Sequence, residues 1–296
     1  MDFVSGLSRL LDGSVKRLCE RRTGLIFSAG VDSTLVATLA ARHCDATAYI
    51  VGIGCSQDIE YARRIEDDAG FKIKFIELSQ EDVERDLPAL VKTVGEPSPL
   101  KVGVGVPMHF ASKAAKAEGH EVMFCGQGGD ELFGGYWRYV ELLVKSGKGE
   151  VEKMIERDIK NADMDNLDRD RAVNKANGIE LRLPYLDKDF MECAKNVPFE
   201  LKIKEISAGE NPDFGCVDEV GGRRFIRKYA LRKLAEREGV PKPVLDRSKK
   251  AAQYGSGSDK VLERLARMHG FRKKAHDAGR RDYTAMYLES LVSFQC

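Results

Sequence analysis

A sequence of 296 residues, 43% of them hydrophobic, can bury one large core or two smaller ones. Its 48 basic and 47 acidic side chains leave a formal net charge of +1, which gives no electrostatic reason to expect a nucleic acid or a membrane surface as a partner. No apolar run reaches the length of a membrane span and the charged N-terminus has no apolar signal core, so the expected location is the cytoplasm.

Short β-rich runs alternate with helical patterns through the first half of the chain. After a charged N-terminal helix, the predicted strands are Gly24–Phe27, Thr47–Ile53, Lys72–Leu78 and Val122–Cys125, and the predicted helices are Thr34–Arg42, Gln57–Ala69 and Met108–Ala117. Strands and helices that alternate in this way form right-handed βαβ units. The sequence therefore predicts an α/β fold, with a parallel sheet that carries helices on both faces.

The second half of the chain is mostly helical in pattern. Helices are predicted over Glu141–Asp158 and Phe225–Glu238, and the mixed segment Leu201–Arg224 suggests a hairpin. We find no repeat and no low-complexity linker, so one cooperative unit is expected, with an N-terminal helix in 1–22, an α/β core in 23–140 and a mostly helical part in 141–296. The seven cysteines form no C-x-x-C pair, which argues against a disulfide framework or a zinc site.

The segment between the first strand and its helix has the composition of a phosphate-binding loop. It reads Ser28, Ala29, Gly30, Val31, Asp32, Ser33, Thr34. Small residues let backbone N–H groups approach an anion, and the helix N-terminus favours negative charge. Asp32 would repel a phosphate unless it holds a Mg²⁺ that binds the phosphates in turn. The alternative interpretation is an ordinary Ser/Asp helix cap, since neither a Walker A loop nor G-x-G-x-x-G is present.

A second acidic loop follows the fourth predicted strand. It reads Gly126, Gln127, Gly128, Gly129, Asp130, Glu131, Leu132, Phe133, Gly134, Gly135, Tyr136. Loops at the carboxyl ends of parallel strands share one edge of the sheet, so Asp130 is expected to face Asp32 and to share its magnesium. Five glycines in ten residues exceed what packing a turn requires, and the alternative is a glycine-rich turn with solvated acids.

These two loops together resemble the synthetase domain of glutamine-dependent asparagine synthetases, whose relatives include the β-lactam synthetases. The resemblance runs from about Gly24 to Gly257, in the order found in that family. It implies a PP-loop fold of the adenine nucleotide alpha-hydrolase type, with ATP as substrate and Mg²⁺ bound by Asp32 and Asp130. It also implies that the first loop holds pyrophosphate and that the strand segment containing Val51 and Gly52 reads adenine. Further ATP or pyrophosphate contacts are expected from Gly126, Gly128, Gly255, Ser256 and Gly257.

Two later segments extend the resemblance. Residues 180–187 (ELRLPYLD) resemble the family's Glu-x-Arg-x-Pro-Phe-Leu-Asp block, which implies a catalytic Glu180 at the reaction centre. The alternative is an internal ion pair between Glu180 and Arg182. Residues 247–257 fit the family's Arg-x-Lys and the Gly-Ser-Gly beyond it, which makes Lys249 the expected catalytic lysine, with Lys250 as the alternative. A cation suits the charge that grows on the phosphoryl oxygens when a carboxylate attacks the α-phosphorus.

Two departures from the family pattern concern the nucleophile. The glutaminase domain of full-length members begins with a cysteine nucleophile, whereas residue 2 is Asp2. The chain is therefore expected to use free ammonia, ammonia from a separate glutaminase, or another nucleophile. Bacterial members usually carry glutamate where this chain has Gln127, near the incoming ammonia. An amide cannot accept the proton that the ammonia loses. Either Glu180 or water accepts this proton, or the second half-reaction differs.

The reaction expected from the resemblance is amide formation in two steps. A small-molecule carboxylate, with aspartate favoured, attacks ATP to give an acyl-adenylate and pyrophosphate, and ammonia then displaces AMP. The alternative is a PP-loop relative that adenylates a different carboxylate or a tRNA base, with another nucleophile. The basic run in residues 223–233 is interpreted as a solvated helix face that partly lines a pyrophosphate pocket, rather than as a contact to RNA.

Overall fold

The computed structural model describes residues 3–161 and 166–293. Asp2 and one of the seven cysteines, Cys296, lie outside these ranges. The strands are β1 Arg22–Phe27, β2 Asp45–Ile53, β3 Lys72–Leu78, β4 Val122–Phe124, β5 Glu180–Arg182, β6 Ile203–Ile206, β7 Asp218–Val220 and β8 Arg223–Arg227. The helices are α1 Phe3–Leu18, α2 Val31–Ala40, α3 Gln57–Ile65, α4 Gln80–Val94, α5 Pro99–Ala117, α6 Gly129–Phe133, α7 Trp137–Ser146, α8 Lys148–Asn161, α9 Asn166–Ala176, α10 Lys188–Lys195, α11 Phe199–Lys202, α12 Tyr229–Arg237, α13 Lys242–Leu245, α14 Ala252–Ser256, α15 Ser258–Met268, α16 Phe271–Asp277 and α17 Tyr283–Ser293.

The first five strands form one parallel sheet in the order β3-β2-β1-β4-β5. This order reverses direction between β1 and β4, which is the kind of switch point where open α/β sheets bind ligands. Gly24 of β1 lies opposite Met123 of β4, so the loops that follow these two strands leave the sheet at the same level. The predicted fold class, a parallel sheet with helices on both faces and a mostly helical C-terminal part, is confirmed.

An apolar core covers each face of the sheet. Along β2, Ala48 and Ile50 belong to one core while Tyr49 and Val51 belong to the other, as the two-residue period of a strand requires. Helices α1, α2, α3, α10 and α12 pack on the first face, and α4, α5, α9, α15, α16 and α17 pack on the second. Because β2 is buried on both faces, its sequence is a nearly continuous hydrophobic run rather than an alternating one.

The N-terminal helix is an integral part of the first core. Leu7, Leu11 and Val15 recur at a spacing of four residues on one face of α1, and all three are fully buried. That face packs against α2, α10 and α12, so the start of the chain contacts elements that lie about 180 to 230 residues further on as well as its neighbour in sequence.

Two helix predictions in the second half require correction. The predicted helix Glu141–Asp158 is two helices, α7 and α8, because Gly147 adopts a φ of 83° between them. The first part of the predicted helix Phe225–Glu238 is wrong, since Phe225 and Ile226 lie in strand β8. Strand β8 pairs with β6 and β7 in an antiparallel sheet, which confirms the hairpin suggested for this region.

Across residues 3–161 and 166–293, no helix is both long and apolar enough to cross a bilayer. Six of the seven cysteines lie in the same ranges and are free thiols.

Truncation of Leu11 tests the role of α1 in the core. We expect Leu11→Ala to lower the free energy of unfolding by about 2–5 kcal/mol, because it leaves a cavity at a fully buried position. Urea denaturation measures this change. Met268→Ala is the matched control, since Met268 is 64% exposed and should change stability by less than about 0.5 kcal/mol. Equal unfolding midpoints for the two variants would contradict the assignment of α1 to the core.

Candidate active site

A cavity of about 1650 Å³ opens at the carboxyl edge of the parallel sheet. It is lined by residues that follow β1, β2, β3 and β4, and by the segment from Lys249 to Arg264. This volume exceeds the 300–1,000 Å³ that is common for small-molecule pockets, so it can hold a nucleotide together with a second substrate. The sequence-predicted residues that line it are Ser28, Asp32, Ser33, Gly126, Gln127, Asp130, Lys249 and Gly257.

The first loop turns sharply between β1 and α2. Ala29 adopts a φ of 51°, and a non-glycine residue in this region carries roughly 1 kcal/mol of strain. The hydroxyls of Ser33 and Thr34 donate to the carbonyl of Gly30 at 3.2 and 2.8 Å and brace the turn. Ala29, Val31 and Thr34 are buried and do not line the cavity, so their contribution to nucleotide binding stays a prediction.

The two acidic loops meet through a lysine. Lys228 Nζ lies 2.7 and 2.5 Å from the two carboxylate oxygens of Asp32, and 2.7 Å from Asp130 Oδ1. Lys249 Nζ lies 2.7 Å from the other oxygen, Asp130 Oδ2. Lys228 is almost fully buried, whereas about a quarter of the Lys249 side chain is exposed to the cavity. Two carboxylates from the sheet edge and two ammonium groups from distant parts of the chain thus form one charge-balanced cluster.

Each charged group in this cluster stabilises the ionised form of its neighbours. Burial by itself would raise the pKa of Asp130, but the ammonium groups of Lys228 and Lys249 outweigh burial and hold this pKa well below its ordinary value. Burial would lower the pKa of Lys249, but the carboxylates of Asp130 and Asp32 outweigh it and raise this pKa. Asp130 is therefore ionised and Lys249 is cationic at neutral pH.

Two glycines of the second loop give the cluster the space it needs. A Cβ atom on Gly135 would lie 2.0 Å from Asp130 Oδ1 and 2.2 Å from Lys228 Cε. A Cβ atom on Gly129 would lie 2.4 Å from Asp32 Oδ1. Some of the glycines that appeared to exceed packing needs therefore have a packing role, because the charged groups rest directly on the backbone.

Lys228 owes its position to a turn that sequence reasoning missed. It adopts a φ of 57° between β8 and α12, inside the segment predicted to be helical. Arg227 fixes one side of the turn by donating to Asp218 at 2.6 and 3.1 Å and to the carbonyl of Gly135 at 2.5 Å. Arg232 fixes the other side by donating to the carbonyl of Arg227 at 3.1 Å. These three basic residues are buried, so the interpretation of the basic run as a solvated face is wrong for them. Arg223 and Lys233, in the same run, remain partly exposed.

The segment that carries Lys249 is anchored to the first loop. Arg247 donates to the carbonyl of Ser28 at 2.5 Å, forms an ion pair with the buried Asp58, and stacks on the ring of Tyr61. A Cβ on Gly255 would lie 2.2 Å from the Asp58 carboxylate, so this segment packs tightly on α3. The neighbouring Lys250 contacts Gln57 instead of the acids. It is therefore Lys249, and not Lys250, that reaches Asp130.

Gln127 belongs to a polar pair that sequence reasoning also missed. Its amide nitrogen Nε2 donates to Asp170 Oδ2 at 2.8 Å. Asp170 lies on α9 and is completely buried, and its other oxygen, Oδ1, accepts from Arg169 at 2.6 to 2.7 Å. No local motif marks Asp170 in the sequence. The preceding Arg169 lines the cavity as well.

Glu180 is placed away from the cluster, which corrects the expectation that it lies at the reaction centre. It is the first residue of β5, at the amino edge of the parallel sheet, and its side chain is 61% exposed. It accepts two hydrogen bonds from Arg182, at 2.8 and 3.0 Å, and Arg182 also binds the carbonyl of Leu18. The alternative interpretation, an internal ion pair, describes the position of Glu180.

The remaining predicted nucleotide contacts are buried or set back from the cavity wall. Gly52 packs against Ile59, where a Cβ would lie 2.3 Å from the isoleucine side chain. The others in this class are Val51, Gly128, Gly255 and Ser256. Their contribution to nucleotide binding stays a prediction.

The chain is similar to known proteins over most of its length. The family model described as asparagine synthase matches residues 6–150 and 143–287. A putative glutamine-hydrolyzing asparagine synthetase 1 of Methanocaldococcus jannaschii is 36% identical over 289 residues, which cover 90% of this chain and 52% of that protein. A probable glutamine-hydrolyzing asparagine synthetase of Dictyostelium discoideum is 27% identical over 253 residues, covering 80% of this chain and 42% of that protein. The chain thus spans about half the length of the curated relatives it matches.

Among solved structures, an NMN synthetase from Francisella tularensis superposes with a TM-score of 0.44 and 12% sequence identity, covering 98% of this chain and 93% of the other. This degree of similarity supports no conclusion on function.

Substitution of Gly135 tests the close packing of the cluster. We expect Gly135→Ala to lower the free energy of unfolding by about 1–3 kcal/mol, because the new methyl group would overlap Asp130 and Lys228. Gly149→Ala in α8 is the control. Nothing lies within 4 Å of its Cβ position, and alanine is favoured over glycine in a helix, so its stability should be unchanged or slightly higher. Thermal and urea unfolding measure both, and equal stability of the two variants would contradict the packing described.

Proposed function

We propose that this chain, which belongs to the asparagine synthase family, carries out the synthetase chemistry of an ATP-dependent amide-forming ligase. The observation that supports this proposal most strongly is the cluster of Asp32, Asp130, Lys228 and Lys249 beside the loop between β1 and α2. A site with fixed cations beside a helix N-terminus and two carboxylates suits a metal–triphosphate complex better than it suits an uncharged ligand.

The proposed reaction has two steps. A carboxylate oxygen of the substrate attacks the α-phosphorus of ATP, the bond to the β-phosphate bridging oxygen breaks, and pyrophosphate leaves. Ammonia then attacks the acyl carbon of the adenylate, AMP leaves, and the nitrogen loses one proton. Charge grows on the phosphoryl oxygens in the first step, and the cationic Lys249 beside Asp130 is placed to stabilise that charge.

Asp32 and Asp130 are suited to act as magnesium ligands. Their carboxylates already converge on one cationic nitrogen, that of Lys228. Lys228 Nζ lies 2.7 Å from Asp130 Oδ1 without the geometry of a normal hydrogen bond, and no other donor among the residues that the structure describes reaches this oxygen. Mg²⁺ is usually held by one or two carboxylates together with substrate phosphates, which is the donor set available here. When bound, the metal would neutralise part of the triphosphate charge.

The carboxylate substrate is proposed to be aspartate, since the relatives are named asparagine synthetases. The ammonia is proposed to be free or supplied by a separate glutaminase. Gln127 is an amide and takes no proton, so the proton lost from the nitrogen passes to water in this proposal.

Carboxylate-dependent pyrophosphate exchange tests the proposed function. Purified protein is incubated with ATP, Mg²⁺ and labelled pyrophosphate, with aspartate or another carboxylate added, and label incorporation into ATP is measured. Addition of ammonia should then yield AMP and the amide in equal amounts. Absence of exchange with every carboxylate, or formation of ADP and phosphate instead of AMP, would overturn the proposal.

Separate substitutions of Lys249 and Lys250 test the assignment of the reaction centre. We expect Lys249→Met to slow carboxylate-dependent exchange by about 10²–10³-fold, because it removes a cation from the developing phosphoryl charge. Lys250→Met should stay close to the wild-type rate, since Lys250 contacts Gln57 rather than the acids. Unchanged exchange in Lys249→Met, or a larger loss in Lys250→Met, would refute the assignment.

The magnesium requirement tests the role of Asp32. We expect Asp32→Asn to raise the Mg²⁺ concentration needed for half-maximal exchange, because an amide is a weaker ligand for Mg²⁺ than a carboxylate. Asp67→Asn, at an exposed position after α3, provides the control and should leave the magnesium dependence unchanged. A magnesium curve for Asp32→Asn that overlies the wild-type curve would exclude Asp32 as a ligand.

A further inference from the structure

The side chain of Gln127 is held in one orientation by a buried charge. An amide presents two N–H donors at one end and an acceptor oxygen at the other. Nε2 of Gln127 donates to Asp170 Oδ2 at 2.8 Å. Burial raises the pKa of Asp170, and the pairing with Arg169 at 2.6 Å opposes this shift. With Asp170 ionised in that pair, the reverse orientation would set the amide oxygen against a carboxylate oxygen, two acceptors with no proton between them. The contact with Asp170 therefore turns Oε1 of Gln127 away from α9.

The amide oxygen of Gln127, Oε1, is the end of this cavity-lining side chain that Asp170 does not bind. Gln127 lines the cavity, and no residue in the described ranges donates a hydrogen bond to its Oε1. Gln127 also lies three residues before Asp130 in the loop that forms the acidic cluster. A neutral hydrogen-bond acceptor of fixed direction is thus presented close to the carboxylates and lysines.

Apart from Gln127, the Asp170 side chain has one polar partner among the described residues, Arg169. The Asp170 side chain is completely buried, Arg169 binds Oδ1 at 2.6 to 2.7 Å, and the Arg169 side chain is only 4% exposed. Asn174 donates to the Asp170 carbonyl at 2.8 Å and holds the backbone. A buried ion pair of this kind is often no more stable than well-packed apolar residues, so stability gives little reason for it. A role in fixing the direction of Gln127 accounts for it.

We infer that Asp170 is a positioning residue, which holds Gln127 so that the amide oxygen accepts an N–H from an amino group taking part in the reaction. This inference rests on the proposed function. The amino group is either that of the attacking ammonia or one carried by the carboxylate substrate, since both present the same N–H chemistry to Oε1. The pair also explains why an amide occupies position 127, because a glutamate there would place two carboxylates in contact.

Swapping the amide of position 127 and the carboxylate of position 170 tests the inference. In Asp170→Asn the amide of Gln127 can turn, because the introduced side-chain amide offers both a donor and an acceptor. We expect this variant to raise the KM for the amino-bearing reactant by about tenfold, the effect of one lost hydrogen bond. In the double variant Gln127→Glu with Asp170→Asn, the introduced amide donates to the introduced carboxylate and an acceptor oxygen again faces the cavity. This variant should recover most of the lost affinity.

Two separate assays identify the source of the amino group. Pyrophosphate exchange gives the KM values for ATP and for the carboxylate, and amide formation gives the KM for ammonia. A rise in the ammonia KM alone identifies the nucleophile as the group bound by Gln127, and a rise in the carboxylate KM alone identifies the substrate amino group. The ATP KM should stay at the wild-type value in both cases. Asp168→Asn, at an exposed position on the same helix, is the control.

Three outcomes would overturn the inference. Wild-type KM values throughout in Asp170→Asn would do so, as would a parallel rise in all three values with a lowered Tm, which indicates a purely structural role. The third outcome concerns Gln127→Met, which leaves the Asp170–Arg169 pair in place. This variant should reproduce the selective KM change even if Asp170→Asn folds poorly, and unchanged KM values in Gln127→Met would overturn the inference. Absence of exchange in the wild-type protein would instead refute the proposed function and the inference together.

Discussion

Two carboxylates are held close together at the edge of the sheet, and the ammonium of Lys228 between them is the interaction on which the site depends. Without a cation, burial would raise the pKa of Asp130 and favour its protonated form. The switch point between β1 and β4 brings Asp32 and Asp130 to the same edge. The bare backbone at Gly129 and Gly135 then lets the charged groups approach each other.

The parts of the fold and site that depend on local pattern were predictable from the sequence. The alternation of strands and helices predicts the parallel sheet, and the rule that loops at carboxyl ends share one edge predicts the meeting of Asp32 with Asp130. These two inferences need only local sequence and a general rule of topology. Lys249 was expected instead from the resemblance of residues 247–257 to a family motif, and the structure brings it to Asp130.

The features of the site that the sequence did not reveal depend on contacts between residues far apart in the chain. Lys228 lies on a left-handed turn that Arg227 holds through the carbonyl of Gly135, 92 positions away in the sequence. The local sequence does not reveal this contact and by itself resembles a helix. Asp170 is related to Gln127 by a contact across 43 positions, without any motif of its own. Glu180 was placed wrongly because a short motif does not reveal that it begins a three-residue strand, at the edge opposite to the cavity.

Under the proposed function, the position of Lys228 also bears on how the site behaves before a nucleotide arrives. The ammonium is a tethered counter-ion, which is attached to the chain and cannot diffuse away. A divalent ion that arrives alone must compete with this resident positive charge for the same oxygens. An ion that arrives already bound to a triphosphate brings negative charge for both lysines, so the site is suited to admit the metal and the nucleotide as a single complex.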